Sequence, residues 1–458
     1  MRRCFAIASQ TVVAAFRFRA VIGVVFLLLV CVGGLPFVIR HNGTARMFAQ
    51  VMLTYNLYVI TGLLAFTTLW LACGTLAGEI SSGQLQMVVA KPVARWQIWL
   101  GKWLGILAVN ALLLGVAASA AALLLVWRAH ELSPDQQKIL HQQVLVARGG
   151  LREAPVDLET DVERMYQNRR NDESVRNLDP EFVKRQLRAL AKAQQETLAP
   201  NYERIWDLDL GARRFFLRDQ TLFLRVKFHA ASQNDAGLFN TVWVIGDAAS
   251  GETVQIPRQM AADSFQEFPI PPNLFSADGK LHIQCVNRDS TTLLFPLEDG
   301  LELLYPGGGF ALNYARGAGI IFCWLALIAA MGLAASTFLS FPVATLLAVS
   351  LLLLGLSGGM FSEVLQEGTF LGLNDDTGQP QSQALDWLFL PVFRVVAFAV
   401  NQITSFSPVE SLVTGRSIGW LELGRAAWQI VALAGGVFAV TGIAIFKRRQ
   451  LGQQSLNN

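Results

Sequence analysis

The charged residues with the most suggestive spacing lie in one polar segment that separates two uncharged apolar stretches. Its notable residues are Glu79, Gly83, Lys91, Pro92, Arg95, Gly101 and Lys102. A helix that begins near Glu79 should stop at Pro92, because proline removes a backbone donor. Lys91 and Arg95 can then pair with acidic groups of another protein, while Lys102 returns the chain to the bilayer at head-group level. The segment predicts docking; the alternative is a loop whose charges only anchor the topology.

No motif for bond chemistry accompanies this segment. Gly101-Lys102 lacks the preceding glycine and the following hydroxyl of a phosphate-binding loop, and neither a Gly-x-Ser-x-Gly elbow nor a His-Glu-x-x-His motif is present. The five histidines show no ligand-like pairing, and Asp375-Asp376 sits in a polar turn that we interpret as solvated. The sequence therefore predicts no catalytic residue, no cofactor site and no metal site, and hence not an enzyme.

The composition indicates a membrane protein. Hydrophobic residues make up 53% of the 458 residues and charged residues only 16%, below the roughly 25% charge of soluble domains. A net charge of +3 gives no argument for a nucleic-acid partner. Of the five cysteines only Cys285 falls in the large polar region, so no internal disulfide is expected there.

Five uncharged stretches reach the roughly 20 residues that a membrane-spanning helix needs. They are Ala20–Ile39, Leu57–Ala77, Trp103–Trp127, Gly317–Ser362 and Ala426–Phe446. The fourth is long enough for two crossings with a break at Ser340-Phe341-Pro342. The expected fold is therefore an α-helical membrane bundle of six transmembrane helices, preceded by an amphipathic N-terminal helix or, alternatively, by a frayed extension of the first span.

Arginine and lysine in the short loops set the orientation. The N-terminal arm, the segment 78–102 and the tail that opens with Lys447-Arg448-Arg449 share the basic side. We expect both termini in the cytoplasm and residues 128–316 outside it, in a multi-pass protein of the cytoplasmic (inner) membrane. The domain boundaries that follow are 1–127, 128–316 and 317–458.

The insert 128–316 is expected to be an α+β extracytoplasmic domain. Its 22 Lys+Arg and 26 Asp+Glu indicate ordinary solubility. Residues 133–200 are predicted to be helical, with caps at Ser133-Pro134 and Asp179-Pro180. From about Tyr202 to residue 305 the hydrophobic period changes to two, which predicts an antiparallel β-sandwich. The strand candidates are Leu222–Phe228, Thr241–Ile245, Leu281–Val286 and Leu301–Leu304.

A second outside segment, residues 363–425, contains an apolar run interrupted by Pro391 and Arg394. We expect an interfacial or re-entrant helix at about 385–404, with a seventh span as the alternative.

The segment 79–102 resembles the coupling region of ABC-2 type transporter permeases. Three further features are similar to that family: the basic arm before the first span, the turn Ala334-Ala-Ser-Thr-Phe-Leu-Ser-Phe-Pro342, and the ending Phe446-Lys-Arg-Arg449-Gln-Leu-Gly452. The resemblance covers about 1–127 and 317–452 but not the insert, and Val88-Val89-Ala90 departs from the family's commoner leucine-rich run.

The resemblance implies a permease subunit of an ABC transporter. Its partners would be an ABC ATPase subunit, docked at Glu79, Gly83, Lys91, Pro92, Arg95, Gly101 and Lys102, a second permease subunit and the lipid bilayer. One rival is a membrane-anchored extracytoplasmic receptor or scaffold without transport, which would usually carry a cytoplasmic effector domain. The other is a membrane-embedded enzyme, which needs intramembrane acids or histidines that the apolar stretches lack. The sequence does not specify a substrate.

Overall fold

A computed structural model describes residues 2–17, 19–38, 44–85, 93–154, 156–170, 178, 180–232, 237–247, 252–276, 278–367, 369 and 383–449. The chain divides into two compact units. The helical unit comprises Met1–Ala147, Gly308–Phe370 and Ala384–Asn458, and the sheet unit comprises Arg148–Gly307 and Leu371–Gln383.

The helical unit is built from long apolar helices. In chain order these are α1 (Arg2–Arg17), α2 (Arg19–Val38), α3 (Ala45–Ser81), α4 (Arg95–Arg128) and, after a 3-10 turn at Ala129–Glu131, α5 (Pro134–Ile139) with a π-helical turn at Leu140–Val144. The chain then forms the sheet unit, whose helices are α6 (Leu158–Arg169), α7 (Pro180–Glu196) and α8 (Arg214–Leu217). The helical unit continues with α9 (Phe310–Ser336), α10 (Phe341–Leu356), α11 (Gly358–Glu367), α12 (Gln383–Thr404), α13 (Pro408–Val413), α14 (Trp420–Ala426), a π-helical stretch Ala427–Gly435 and α15 (Gly436–Arg448).

Within the described ranges, five helical segments are long and apolar enough to cross a membrane. They are Ala45–Ser81, Arg95–Glu131, Phe310–Ser336, Leu385–Val413 and Trp420–Arg448, and the pair α1–α2, bent by 68°, makes a sixth candidate. The predicted break in the fourth apolar stretch lies between α9 and α10, with Pro342 in the first turn of α10. The number of crossings and their direction stay predictions.

Two apolar helices bear on the expected number of spans. The expected fifth span forms a helix of only 16 residues, α10, shorter than the roughly 20 that cross a bilayer. The helix expected at 385–404 is present as α12 and overlaps a 29-residue segment, Leu385–Val413, that is long and apolar enough to be a span, so that a re-entrant or a spanning course stays a prediction. Pro391 lies inside α12 without ending it. Because α12 has 22 residues and is longer than the apolar run around Pro391 and Arg394, its length favours the alternative of a seventh span.

The centre of the helical unit is α9. Of its most apolar window, 78% is buried, against 50% or less for the other four candidate spans. Small residues make this possible, because Gly332 lies against Ala72 and Cys73 of α3 so closely that an added Cβ would collide with them. Such small-residue contacts are how membrane helices approach closely.

The sheet unit contains three sheets with helices beside them. Its helices are α6 (Leu158–Arg169), α7 (Pro180–Glu196) and α8 (Arg214–Leu217), which follows a 3-10 turn at Gly211–Arg213. Its strands are β1 (Val146–Leu151), β2 (Thr197–Leu198), β3 (Glu203–Asp209), β4 (Leu222–Val226), β5 (His229–Ala230), β6 (Leu238–Asp247), β7 (Glu252–Ala261), β8 (Gln266–Ile270), β9 (Lys280–Asn287), β10 (Leu293–Leu294) and β11 (Leu301–Gly309).

The strand orders are β1-β11-β4-β8, β2-β10-β5 and β3-β9-β6-β7. The pairs with described register run antiparallel, among them Leu304 with Phe223 and Trp206 with Ile283. The antiparallel sheets expected from the sequence are thereby confirmed. The sandwich arrangement stays a prediction.

One core contains side chains from both four-stranded sheets. Trp206 and Trp243 stack with ring centroids 6.0 Å apart, and Phe295 meets Trp206 edge to face. This matches the alternation of apolar residues along β4, β6 and β9, since successive strand side chains point to opposite faces.

The stretch 133–200 is not wholly helical. Residues Val146–Leu151 form the strand β1, because Gly149 and Gly150 disfavour a helix. Both glycines lie against β11, Gly149 beside Tyr305 and Gly150 beside Glu302. The sheet unit also begins later than the expected boundary at Arg128. Ala129, Leu132 and Leu140 belong to the core of the helical unit instead. The cap at Asp179 lies outside the described residues.

A buried ionic network fixes one sheet of this unit. Glu267 accepts from Arg148 at 2.9 Å and from Arg225 at 2.8 Å, and the second carboxylate, Glu302, lies near Arg225 and Arg152. The side chains of Glu267 and Glu302 are 7% and 5% exposed. Buried charges of this kind need close partners, so the network ties β1, β4, β8 and β11 together.

Candidate functional site

The predicted docking segment lies at one end of the helical unit. α3 ends at Ser81, a turn follows through Gly83 with φ of +72°, and α4 starts at Arg95. That positive φ is the left-handed region in which glycine is favoured. Lys91 and Pro92 lie outside the described residues.

Glu79 and Lys102 form an ion pair between α3 and α4. The ammonium of Lys102 donates to the Glu79 carboxylate at 2.6 Å. The side chain of Lys102 is 4% exposed, whereas that of Glu79 is 33% exposed. The lysine is therefore buried by its neighbours with Glu79 as the partner of its charge, and its predicted position at head-group level stays a prediction.

Arg95 binds the end of the last helix. Its Nη1 donates to the carbonyl oxygens of Phe446 at 2.6 Å, Lys447 at 2.9 Å and Arg449 at 2.8 Å. Three acceptors converge on a nitrogen that carries two hydrogens, so at least one hydrogen bond is shared. A cation at a helix C-terminus also satisfies orphan carbonyl groups and the helix dipole.

Arg449 makes the corresponding contact on the central helix. Its Nη1 donates to the carbonyl of Thr337, just after the last residue of α9, at 2.5 Å. We refer to Glu79, Arg95, Lys102, Thr337, Phe446 and Arg449 as the helix-end cluster. The Glu79–Lys102 pair joins α3 to α4. The contacts of Arg95 and Arg449 with backbone carbonyls join α4 to α15 and α15 to α9, between residues that are far apart in the sequence.

Gly101 packs against the N-terminal helix, and its predicted part in docking stays a prediction. A Cβ added at Gly101 would lie 2.8 Å from Ile7 Cβ and 2.9 Å from the Cys4 carbonyl oxygen of α1. One turn later, Gly105 meets Thr11 and the Ala8 carbonyl oxygen in the same way. The glycines thus allow the backbone of α1 to lie directly against α4.

The structure brings Glu79 and Lys102 together and places Arg95 on the C-terminal helix. It leaves the turn residues Ser81, Ser82 and Gln84 exposed, together with 42% of Trp96. Sequence reasoning missed the contacts of Arg449 and Phe446 with this site. The signal was the run Lys447-Arg448-Arg449, because basic residues in a last helical turn often bind helix carbonyls.

Other chemistry is not assembled in the described part of the chain. Among the described residues no group of three His, Cys, Asp or Glu could hold a metal ion. In the sheet unit an open depression of about 460 Å³ lies beside α7 and the start of β3. Its lining includes Leu190, Tyr202 and one carboxylate, Glu203, without further convergent charges.

Comparison with known proteins matches the segment that contains the α3 and α4 residues of this site. Residues 6–146, about the first third of the chain, match the family described as ABC-2 family transporter protein. No curated protein and no solved structure matches the chain. The family resemblance is thereby confirmed, on a segment that includes Glu79, Arg95, Gly101 and Lys102.

Proposed function

Taking the ABC-2 family match over residues 6–146 as the premise, we propose that this chain is the permease subunit of an ABC transporter. A separate ABC ATPase subunit hydrolyses ATP, and the chain moves a substrate across the cytoplasmic membrane. The match is the observation that carries this proposal. The apolar helices agree with it, because the described residues include five segments that satisfy the criteria of a membrane span.

The ATPase is proposed to dock on the turn between α3 and α4. Movement of an ATPase has to enter a permease through a stiff element, and the ion pair Glu79–Lys102 and the bonds of Arg95 stiffen both flanks of the turn. The exposed residues Ser82 and Gln84 then provide the contact surface. In this proposal Glu79, Lys102 and Arg95 position the turn and Gly83 supplies its left-handed backbone, and Lys91 and Pro92, outside the described residues, are predicted contacts of the ATPase.

The proposed orientation puts this turn and both termini in the cytoplasm and the sheet unit outside it. The basic residues Arg95, Lys447, Arg448 and Arg449 gather at the same end of the helical unit as the turn, as the positive-inside rule requires of a cytoplasmic end. Labelling of a Ser250→Cys variant in intact cells tests the orientation. Labelling only after lysis would reverse it.

The partner proposal is tested on exposed turn residues, so that the internal contacts stay intact. The double variant Ser82→Glu/Gln84→Glu is compared with Thr253→Glu/Gln255→Glu, a matched change on the exposed edge strand β7. Each is co-expressed with an ABC ATPase that co-purifies with the parent chain. Like charges placed in an interface cost several kcal/mol, so ATPase recovered per permease should fall at least about tenfold in the first variant alone.

Two results would contradict the proposal. One is equal ATPase recovery from both double variants at equal membrane abundance. The other is ATP hydrolysis by the purified chain without any ATPase, since its sequence carries no phosphate-binding loop. A second permease subunit, identical or related, completes the proposed assembly.

A further inference from the structure

A short turn of the sheet unit presents two adjacent phenylalanines to solvent. The sequence Arg213-Arg-Phe-Phe-Leu-Arg218 covers α8 and its flanks. Phe215 and Phe216 are 70% and 80% exposed, whereas the next residue, Leu217, is 4% exposed. Large apolar side chains grouped at an exposed site often mark an interaction surface.

The fold holds these phenylalanines outward. Leu217 packs into the core of the sheet unit. Behind it, the Asp219 backbone N–H donates to the Asn273 side-chain oxygen at 3.0 Å, and the Asn273 amide donates back to the Asp219 carboxylate at 2.7 Å. In front of it, the Leu210 N–H donates to the Gly279 carbonyl at 2.9 Å. The turn is therefore fixed at both ends with its aromatic side chains on the outside.

Three arginines surround the pair. The guanidinium of Arg213 lies 5.6 Å from the Tyr305 ring centroid, and that of Arg214 lies 4.9 Å from the Phe215 ring centroid. Arg213 and Arg218 are exposed. Of the nearby acids, Asp209 accepts from the Gly211 N–H and Asp219 from Asn273. Aromatic rings flanked by guanidinium groups are the composition of a membrane-interface contact.

The turn lies at the end of the sheet where the chain enters and leaves this unit. β4 begins just after it, and Phe223 of β4 pairs with Leu304 of β11. The next residue of β11, Tyr305, precedes the apolar helix α9 by five residues and lies beside Gly149 of the entering strand β1. The turn therefore lies at the end of the sheet from which the chain continues into the apolar helix α9.

We propose that this turn binds the surface of the membrane that the chain spans, with Phe215 and Phe216 among anionic lipid head groups. The arginines meet the phosphates, and the rings enter the boundary between head groups and acyl chains. Exposed rings flanked by arginines favour an anionic lipid surface over an apolar protein pocket. The proposal goes beyond the transport function, because it needs neither the ATPase nor a substrate.

The test uses the full chain in lipid vesicles. A bimane fluorophore on a Gln220→Cys variant, next to the turn, is quenched by nitroxide-labelled lipid. A fluorophore on a Ser290→Cys variant, beyond the opposite end of β9, is the reference, and parent protein treated alike gives the background. Vesicles contain either phosphatidylcholine alone or added phosphatidylglycerol. We expect clear quenching at position 220, stronger with phosphatidylglycerol, and little at position 290.

Variants distinguish insertion of the two phenylalanine rings into the lipid from a position 220 that merely lies close to it. Phe215→Ser/Phe216→Ser should reduce quenching at position 220 to the level at 290, and Arg213→Gln/Arg218→Gln should abolish the preference for phosphatidylglycerol. Tyr202→Ser, which removes an equally exposed aromatic ring elsewhere in the unit, should change neither, and monodisperse elution checks folding.

Each of three results would overturn the proposal. They are equal quenching at positions 220 and 290, unchanged quenching in the phenylalanine variant, and equal quenching in both vesicle types. A fluorophore at 220 that is shielded in native membranes yet unquenched in vesicles would assign the turn to a protein partner instead.

Discussion

The ion pair between Glu79 and Lys102 predicts an unequal response to removal of its two members. Glu79→Ala leaves an ammonium that is 4% exposed without its carboxylate. Lys102→Met removes the buried charge and leaves a carboxylate that is 33% exposed and still hydrated. The first change should therefore destabilise the helical unit more than the second.

The magnitudes follow from these exposures. A buried charge stripped of its partner costs about 3–5 kcal/mol, whereas an exposed pair contributes about 1 kcal/mol or less. The double variant Glu79→Ala/Lys102→Met leaves no orphan charge, so it should resemble Lys102→Met. Adding the second substitution thus restores about 2–4 kcal/mol of the stability that the first removes, which corresponds to a coupling of about 3–5 kcal/mol between the two positions.

The assay is the temperature at which half of the detergent-solubilised chain loses monodisperse elution. At about 2 °C per kcal/mol for a large domain, Glu79→Ala should lower this midpoint by roughly 6–10 °C. Lys102→Met and the double variant should each lower it by about 2 °C. A double variant less stable than Glu79→Ala, or a larger loss from Lys102→Met, would refute the burial argument.

The remaining predictions concern other charged contacts. Arg95→Gln and Arg449→Gln should each speed trypsin cleavage at the C-terminal lysine and arginines, because the carbonyl contacts that hold this helix end are lost; unchanged cleavage would contradict the role of these contacts. Glu267→Gln should destabilise the sheet unit by about 3 kcal/mol, since two buried guanidinium groups lose the charge of one shared carboxylate while Glu302 still pairs with Arg225. Maleimide labelling of Cys285, which is fully buried and whose pKa burial raises, should then accelerate, and an unchanged rate would count against the network. Burial, aided by Asp207 and opposed by Arg204, raises the pKa of Glu153 above its usual 4.5. Its stabilising contribution is therefore complete below that value and is lost as pH rises through the folded-state pKa. Glu153→Gln should raise the unfolding midpoint at pH 7 but not at pH 4, and the reverse pattern would refute this sign.

Local patterns predicted the elements better than their contacts. The strands at 222–226, 241–245 and 281–286 follow from alternation of apolar residues, because each packs one face on a common core. β7 was not predicted, since it is an edge strand whose residues, such as Thr253 and Gln255, are exposed and polar. An edge strand of this kind carries little hydrophobic pattern.

In the candidate site, too, the sequence predicted the local residues better than their long-range contacts. The spacing of Glu79 and Lys102 at two helix ends predicted an important segment, and the ion pair joins residues only 23 positions apart. The bonds from Arg95 to Phe446 and Arg449 span about 350 residues. No local pattern specifies such a pairing, because it depends on how all the intervening helices pack.

The contact between α1 and α4 has a mechanical consequence. Gly101 and Gly105 bring two helix backbones together without a layer of side chains between them, and helices packed so closely have little freedom to slide. Displacement of the turn before α4 should therefore move α1 together with α4 as one rigid body. A Gly101→Leu substitution would separate the two helices and uncouple α1 from that movement.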